Sequence, residues 1–396
     1  MTMENFDRWR TLVSRTFLRA VDCKLADLAD LCQEETDSSL YPLAAEIAKN
    51  VPIYNCPELL PRLSDPGLAQ SLMAEWADAF EFGPGVVVLQ GAEPDLAMLD
   101  QASDIFRDLI DRQNRAGTGG GDHFAKPGAN DRLWNSLEKH CLADPANFAR
   151  YYANPFLALV SQAWLGPYYQ MTAQLNVVNP GGAAQSPHRD YHLGFQSADA
   201  VARYPAHVHH MSPMLTLQGA IAHVDAEVEA GPTLLLPQSQ KYPAGYLATS
   251  RPEFRDYFHA NAVQLPLKKG DMLFFSPALF HAAGTNRTKN VKRMVNLFQV
   301  SSAYGRAMES IDRTAMVKAL YPALLAAKDL NEDQIANAIA ASAEGYSFPT
   351  NLDRDPPIGG LAPKSQAALV HEALAARWTP EALNAALDTQ AAKRLP

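Results

Sequence analysis

The stretch KGDMLFFSPALFH, residues 269–281, joins a turn signal to an apolar run and ends in a histidine. Its first three residues are typical of a turn, and the phenylalanine-rich run after them reads as a buried strand. Short apolar runs separated by turn signals extend from about residue 168 to 304, at Met171–Val178, Met214–His223, Thr233–Pro237, Ala262–Leu267, Met272–Ser276 and Met294–Ser301. Many short strands at this spacing predict an all-β sandwich or barrel, of which a double-sheet jelly roll is one form.

The flanks of this β-rich region show helical periodicity instead. Apolar residues recur at three- and four-residue spacing over residues 4–50, 68–81, 94–114, 313–328, 331–344 and 364–393. The run Val86–Leu89 reads as one further strand. The sequence therefore predicts an α+β protein with an N-terminal helical region at 1–80, a core at 81–305 and a C-terminal helical extension at 306–396.

Composition excludes several classes of partner. The chain has 396 residues and a formal net charge of −9, so binding to nucleic acids or anionic membranes is not expected. It shows neither an apolar run long enough for a membrane span nor a secretory signal. The four cysteines form no CxxC pair and are predicted to be reduced thiols of a cytoplasmic protein, at Cys23, Cys32, Cys56 and Cys141. The remaining expected partner is a small-molecule substrate, and the oligomeric state is left open.

His188 and Asp190 lie two residues apart, and His281 ends the stretch quoted above. Alternate residues of a strand point to the same face, so the first two side chains can reach one metal ion. An HxD pair followed at a distance by a histidine is the pattern of the facial triad that binds iron(II) and leaves three coordination positions open. The simpler alternative is a buried histidine and an ordinary salt bridge.

A basic residue about a dozen positions after His281 begins the last predicted strand. Arginine suits a carboxylate best, because its planar guanidinium donates two parallel hydrogen bonds to it. Arg293 is therefore predicted to bind the carboxylate of a dicarboxylic acid, with Lys292 and Arg287 as alternatives.

Three stretches together resemble the phytanoyl-CoA dioxygenase family of iron(II)- and 2-oxoglutarate-dependent oxygenases. They are the metal-binding HxD within Ser186–His192, the Gly-Pro segment from Glu229 to Lys241, and the segment from Lys269 through His281 to Arg287. The resemblance covers roughly the middle half of the chain. It implies a double-stranded β-helix core of the jelly-roll, cupin-like kind, with iron bound by His188, Asp190 and His281.

The same resemblance implies an arginine that anchors 2-oxoglutarate about eleven positions after the distal histidine. Lys292 occupies that position here, so the arginine role is assigned to Arg293 with a loop one residue longer. Thr285 is expected to replace a small hydroxyl residue usually found two positions after the histidine. Gln174 and Asn176, on one face of the first core strand, resemble residues that contact the cosubstrate or substrate.

The expected activity is a dioxygenase that uses iron(II), 2-oxoglutarate and O2. It would hydroxylate or desaturate a small organic molecule or acyl derivative and release succinate and CO2. The alternatives are a cupin-like metal enzyme that does not use 2-oxoglutarate, and a non-catalytic binding protein. Two other features are interpreted as structural or as loop: the second HxD pair at His223 and Asp225, and the glycine-rich stretch Gly117–Asp122 with Lys126 after it.

Overall fold

The computed structural model describes residues 12–13, 15–117 and 129–396. Its centre is an eight-stranded sheet, with strand order β1-β2-β3-β8-β6-β10-β5-β4, facing a two-stranded sheet of β7 and β9. All neighbouring pairs are antiparallel except β2 and β3. The strands are β1 Glu46–Ala48, β2 Val51–Asn55, β3 Val86–Gln90, β4 Asn130–Leu133, β5 Gln170–Val178, β6 Thr216–Ala222, β7 Leu234–Leu236, β8 Met272–Phe275, β9 Phe280–Ala282 and β10 Arg293–Ser301.

Helices cover the outer face of the large sheet and the ends of the core. Those of the first half are α1 Leu25–Cys32, α2 Cys56–Leu59, α3 Pro66–Glu81, α4 Leu96–Arg115, α5 Ser136–Ala143, α6 Pro145–Tyr152 and α7 Pro155–Leu165. Those of the second half are α8 Ala198–Val201, α9 Ala206–Met214, α10 Gly245–Ala248, α11 Pro252–Asn261, α12 Arg313–Ala326, α13 Glu332–Ser342, α14 Gln366–Ala375 and α15 Pro380–Arg394. The predicted α+β class, a double-stranded β-helix flanked by helices, is confirmed.

β10 divides the molecule into two chemically different faces. It lies between β5 and β6, where Val295 pairs with Asn176 on one side and with Ala222 on the other. Because side chains alternate along a strand, Met294 and its alternate neighbours enter the hydrophobic core beneath the helices. The intervening residues line a cavity on the opposite face, at Arg293, Val295, Leu297 and Gln299.

Three local predictions were wrong, each for a physical reason. Residues 44–48 are not helical, because Lys49 and Asn50 adopt left-handed conformations that turn β1 back onto β2. The run 262–267 makes only isolated bridges, and Pro266 has no N–H to continue a ladder. The helix at 364–393 is interrupted at Arg377, which is left-handed, and Thr379 caps the new helix.

The other predicted strands and the helices at 94–114, 313–328 and 331–344 are confirmed within a few residues. Division into three regions stays a prediction, although β1 and β2 of the first region join the core sheet.

The glycine-rich stretch and Lys126 lie outside the described residues, apart from Gly117. All four cysteines are free thiols, as predicted.

A buried polar network joins the helices to the outer face of the sheet. His223 follows β6, and its Nδ1 lies 2.8 Å from Ser103 Oγ of α4 while its Nε2 lies 2.9 Å from the Tyr151 hydroxyl of α6. Tyr151 in turn accepts a hydrogen bond from Asn296 of β10. Burial lowers the pKa of His223 to about 3, because the charged imidazolium would lose its hydration there. The imidazole therefore acts as a neutral connector, as the structural interpretation of the second HxD pair predicted.

The network predicts a specific loss of stability in acid. The pKa of His223 is below its ordinary value of 6.5 in the folded protein, so between about pH 6.5 and 3 the unfolded chain binds a proton that the folded chain does not. Over that range, the contribution of His223 to the free energy of unfolding should fall by roughly 1.4 kcal/mol for each unit by which the pH is lowered. We expect the stability advantage of the wild type over His223→Gln, measured by urea unfolding, to shrink as the pH falls. The matched substitution of the exposed His259→Gln should leave the pH dependence unchanged; a constant advantage of wild type over His223→Gln would contradict this account.

Candidate metal centre

Backbone pairing between two segments brings the predicted ligands together. The His188 N–H donates to the His281 carbonyl at 3.0 Å, and the His281 N–H donates to the His188 carbonyl at 3.2 Å. The Asp190 N–H donates to the carbonyl of Pro277 at 3.0 Å, which fixes the same segment two residues further on. The segment is not the continuous strand that the sequence predicted: His188 and His281 form an isolated β-bridge, and the three bonds together hold His188 and Asp190 close to His281.

Both histidines are oriented by their own backbones. His188 Nδ1 lies 2.8 Å from the Ser186 carbonyl, and His281 Nδ1 lies 2.9 Å from the Leu279 carbonyl. A carbonyl can only accept, so each Nδ1 carries the proton and each Nε2 is the ligand atom. The Nε2 atoms lie 3.7 and 3.5 Å from oxygens of Asp190, and one ligand atom from each residue lies within 4.8 Å of the others. Among the described residues, no other three His, Cys, Asp or Glu side chains form such a group.

Asp190 remains ionised in this setting. Burial by itself would raise the pKa of the Asp190 carboxyl, but the nearby imidazoles of His188 and His281 and a hydrogen bond from Gln218 outweigh it. The net effect holds the pKa of Asp190 well below its usual range. Gln218 Nε2 donates to Asp190 Oδ2, so one carboxylate oxygen is held by the sheet itself.

The three residues lie on the wall of a cavity of about 450 Å³ between the two sheets. Its polar lining comes mainly from β5, β6 and β10, and its apolar lining includes Leu273, Phe275 and Leu297. Besides the metal-binding group, the ionisable side chains that the described residues contribute to the lining are two arginines, Arg132 and Arg293. The cavity therefore combines a metal-ligand group with positive charge inside a largely apolar enclosure.

Arg293 is the buried cation of this cavity. Its side chain is 4% exposed, and within the described chain its guanidinium has neither an acidic partner nor a hydrogen-bond acceptor, with Nε fully enclosed. Burial lowers its pKa to about 10, which leaves the group charged at neutral pH. By contrast, Lys292 and Arg287 are exposed and outside the cavity lining. The structure thus places Arg293, and not its two alternatives, beside the predicted metal ligands.

The other sequence candidates divide into lining and non-lining residues. Gln174 and Asn176 both line the cavity, as their shared face of β5 predicted. Gln174 accepts a hydrogen bond from Arg132, whereas Asn176 Oδ1 is buried without a partner among the described residues. Thr285 does not line the cavity, and its hydroxyl accepts the Ala184 N–H at 3.0 Å.

Three other histidines of the sequence do not form a metal group. His207 and His210 are exposed, and His209 is buried with its Nε2 3.2 Å from the Val201 carbonyl. Asp225 caps a turn by accepting the Lys269 N–H at 2.8 Å, away from the buried ring of His223. The second HxD pair is therefore not assembled into a site.

Sequence reasoning missed three polar residues of the cavity. Gln218 and Gln299 lie opposite each other on β6 and β10, and Arg132 lies on β4 with its guanidinium 4.6 Å from the Trp134 ring centre. The sequence did contain a signal for Gln218: it is a polar residue in a mainly apolar predicted strand, and its even spacing from Ala220 and Ala222 places the three side chains on one face. Arg132 gave no such signal, because its strand is short and polar.

Comparison with known proteins agrees with this geometry. The family described as phytanoyl-CoA dioxygenase matches residues 72–294, which is more than half of the chain. The chain belongs to the phytanoyl-CoA dioxygenase family. Membership confirms the resemblance predicted from the sequence, and iron(II), 2-oxoglutarate and O2 are the cofactors expected of members of that family.

The individual relatives of this protein have low sequence identity to it. Dioxygenase trt7 of Aspergillus terreus is 31% identical over 114 residues, which are 29% of this chain and 34% of that protein. The match thus spans about a third of that relative's length. Among solved structures, the α-ketoglutarate-dependent epimerase SnoN from nogalamycin biosynthesis is 19% identical, covering 60% of this chain and 82% of its own at a TM-score of 0.42. EvdMO1 is 19% identical, covering 58% and 50% at a TM-score of 0.42.

The described part of the chain has no helix long and apolar enough to cross a membrane.

The geometry predicts which substitutions abolish metal binding. His188→Ala, Asp190→Ala and His281→Ala should each weaken Mn²⁺ binding, measured by electron paramagnetic resonance titration, by more than the roughly 10- to 100-fold expected for loss of an outer-shell partner. His192→Ala is the matched control, because His192 directs its Nε2 to the Arg306 carbonyl at 3.2 Å instead. Equal affinity in the wild type and all three ligand variants would show that this group does not bind metal.

Proposed function

We propose that this protein is an iron(II)- and 2-oxoglutarate-dependent dioxygenase that hydroxylates or desaturates a small organic molecule or acyl derivative, with release of succinate and CO2. The observation that carries the proposal is Arg293, a buried cation without an acidic partner among the described residues, in the same cavity as the metal-ligand group. A metal enzyme whose cavity bound no anion would have no need of that charge.

The residues fit the metal. Two imidazole nitrogens and one carboxylate oxygen on one side of an ion leave the opposite positions open, which is the donor set of non-haem iron(II) oxygenases. Bound iron(II) would supply the activation of O2 that oxidises the substrate. His188 and His281 would bind it through Nε2, because Nδ1 of each ring is held by a backbone carbonyl. Asp190 would bind as an anion, since its pKa lies well below neutral pH.

The cosubstrate fits Arg293. A buried charge is costly unless it is paired, and the described residues offer no acid to this guanidinium. The far carboxylate of 2-oxoglutarate would supply the missing negative charge, and a planar guanidinium is suited to bind a carboxylate. Burial also removes competing water, which strengthens the pair.

Two further side chains of β5 are proposed to contact the cosubstrate or substrate. Asn176 lies opposite Val295 on β10, two residue pairs along from Arg293, and lines the same face of the cavity. Gln174 lies two residues further along β5 and is held by Arg132. We do not extend this role to Thr285, because its hydroxyl is bonded to the loop at Ala184 and lies outside the lining.

The walls of the cavity suit oxidation chemistry. Leu273, Phe275 and Leu297 are apolar side chains of the large sheet that face the metal-ligand group and limit access of water. Free, mostly buried thiols at all four cysteines support the further proposal that the enzyme works in the reducing cytoplasm. The substrate itself is proposed only as a small molecule that this cavity encloses.

The first test is spectroscopic and needs no substrate. Protein purified without O2 should develop a weak metal-to-ligand charge-transfer band in the visible when iron(II) and then 2-oxoglutarate are added. Iron binding without this band would favour a metal enzyme that does not use 2-oxoglutarate. Failure to bind iron would favour a non-catalytic protein and overturn the proposal.

The proposal also predicts the effect of removing the anchor. Arg293→Met keeps the length and apolar stem of the side chain but leaves the far carboxylate of 2-oxoglutarate buried without its partner. Loss of one member of such a pair costs about 2 kcal/mol or more, so 2-oxoglutarate should bind roughly thirtyfold more weakly or worse. The measurement is titration of the charge-transfer band of the iron-loaded protein.

Lys292→Met is the matched control, because it removes a positive charge from the adjacent but exposed position. Its affinity for 2-oxoglutarate should stay within about twofold of the wild type, since exposed charges contribute little. If Lys292→Met lost affinity and Arg293→Met did not, the assignment of the anchor would be wrong.

A further inference from the structure

Arg189 lies between two of the predicted ligands but faces away from the metal. Its side chain is 3% exposed, and no acidic side chain of the described chain pairs with it. An arginine guanidinium keeps its charge in proteins even when it is buried. A charge kept in such a place requires compensation, and the compensating groups show what the residue does.

Backbone carbonyls of one turn receive the guanidinium. Arg189 Nη2 donates to the carbonyl of Ser239 at 2.6 Å and to that of Tyr242 at 2.9 Å, with the Gln240 carbonyl at 3.4 Å. We call residues 239–242 the clamp turn. Three carbonyl dipoles of the clamp turn thus replace the carboxylate that a buried arginine usually has, and they tie the turn to the segment that carries His188 and Asp190.

Two aromatic rings complete the surroundings of Arg189. The guanidinium carbon lies 5.1 Å from the ring centre of Tyr246 and 5.0 Å from that of Phe280. At these distances a cation is attracted to the ring face. Phe280 immediately precedes His281 in β9, so the same guanidinium contacts the segments of all three ligands.

The clamp turn is also hydrogen-bonded to β9, the strand that carries His281. Ser239 Oγ donates to the Leu236 carbonyl at 2.6 Å and accepts the Phe280 N–H at 2.8 Å. The clamp turn therefore holds β9 through Ser239 and the HxD segment through Arg189. These contacts lie behind the ligands, on the side remote from the cavity lining that Arg293 occupies.

Two glycines leave the space that Arg189 needs. A Cβ built on Gly245 would lie 1.9 Å from the guanidinium carbon, and one built on Gly194 would lie 1.9 Å from the Arg189 carbonyl oxygen. Neither glycine has a positive φ, so backbone conformation does not require glycine there. The requirement is steric: at Gly245 it is imposed by the Arg189 side chain, and at Gly194 by the backbone carbonyl of the same residue.

We propose that Arg189 is a positioning residue that, together with the clamp turn, fixes His188 and Asp190 relative to His281 and so sets the affinity and geometry of the metal site. The inference rests on the proposed metal binding and goes beyond it, because Arg189 does not touch the ion. Loss of Arg189 should spread the ligands apart without removing any of them.

The test uses Mn²⁺ alone as the probe, titrated by electron paramagnetic resonance against the full chain. Arg189→Met should weaken Mn²⁺ binding about tenfold or more, which is the range for loss of an outer-shell partner. Arg189→Lys should recover part of this affinity, because an ammonium keeps the charge but cannot reach several carbonyls and both rings equally well. Gly245→Ala leaves Arg189 in the chain and displaces it, so this variant should bind Mn²⁺ more weakly than the wild type too.

Arg313→Met is the matched control for loss of a buried arginine. Arg313 is 6% exposed, donates to the carbonyls of Met171 and Ala341, and pairs with Glu344 on the helical side of the sheet. Its substitution should lower the melting temperature and leave Mn²⁺ affinity unchanged. A role of Arg189 in folding alone would produce this same result for Arg189→Met and Gly245→Ala, and that result would overturn the proposal.

Two outcomes separate this inference from the proposed function. If the wild type does not bind Mn²⁺ or iron(II), the proposed metal centre fails and the inference fails with it. If the wild type binds both but Gly245→Ala and Ser239→Ala bind equally well, the metal centre stands and the role of Arg189 is refuted. Those two variants keep the test decisive even if Arg189→Met does not fold.

Discussion

The reciprocal pair of backbone hydrogen bonds between His188 and His281 is the constraint on which the rest of the site depends. Both bonds involve the backbone, and they join two segments that are far apart in sequence in an isolated β-bridge. A third backbone bond, from the Asp190 N–H to the Pro277 carbonyl, holds the same segment two residues further on, and Arg189 adds side-chain contacts to this arrangement. Each imidazole is held by its own backbone carbonyl, so the ligand atoms are oriented without help from the ion.

The large sheet separates two kinds of burial. On the helical side, polar groups such as His223 and Tyr151 are paired with one another and stay neutral. On the cavity side, Arg293 is charged and lacks an acidic partner among the described residues. A protein interior tolerates the first arrangement by itself, whereas the second is stable only with a bound anion or at a cost to folding. This asymmetry is the physical reason to assign ligand binding to the cavity face of β10 and a structural role to the polar groups on its helical face.

Charge in the loaded cavity would be nearly balanced. Iron(II) carries two positive charges and Arg293 one, while Asp190 and 2-oxoglutarate together carry three negative charges. Within the described part of the chain, the lining has one further ionisable side chain outside the metal-ligand group, Arg132, which is stacked against Trp134 and bonded to Gln174. Binding of metal and cosubstrate therefore neutralises the centre of the cavity, and an apolar wall can then enclose it without a large desolvation cost.

The sequence by itself determined which residues were candidates for the site. These are the HxD pair, the distal histidine, the arginine about a dozen positions after it, and Gln174 and Asn176, which alternation along β5 places on one face. These are local patterns, and local geometry decides them. Only the tertiary structure placed Arg293 in the cavity lining and left its neighbour Lys292 exposed, showed Gln218 bonded to Asp190, and revealed the contacts of Arg189. Those choices depend on which residues of distant strands meet, because register and burial are properties of pairs of segments and no single segment encodes them.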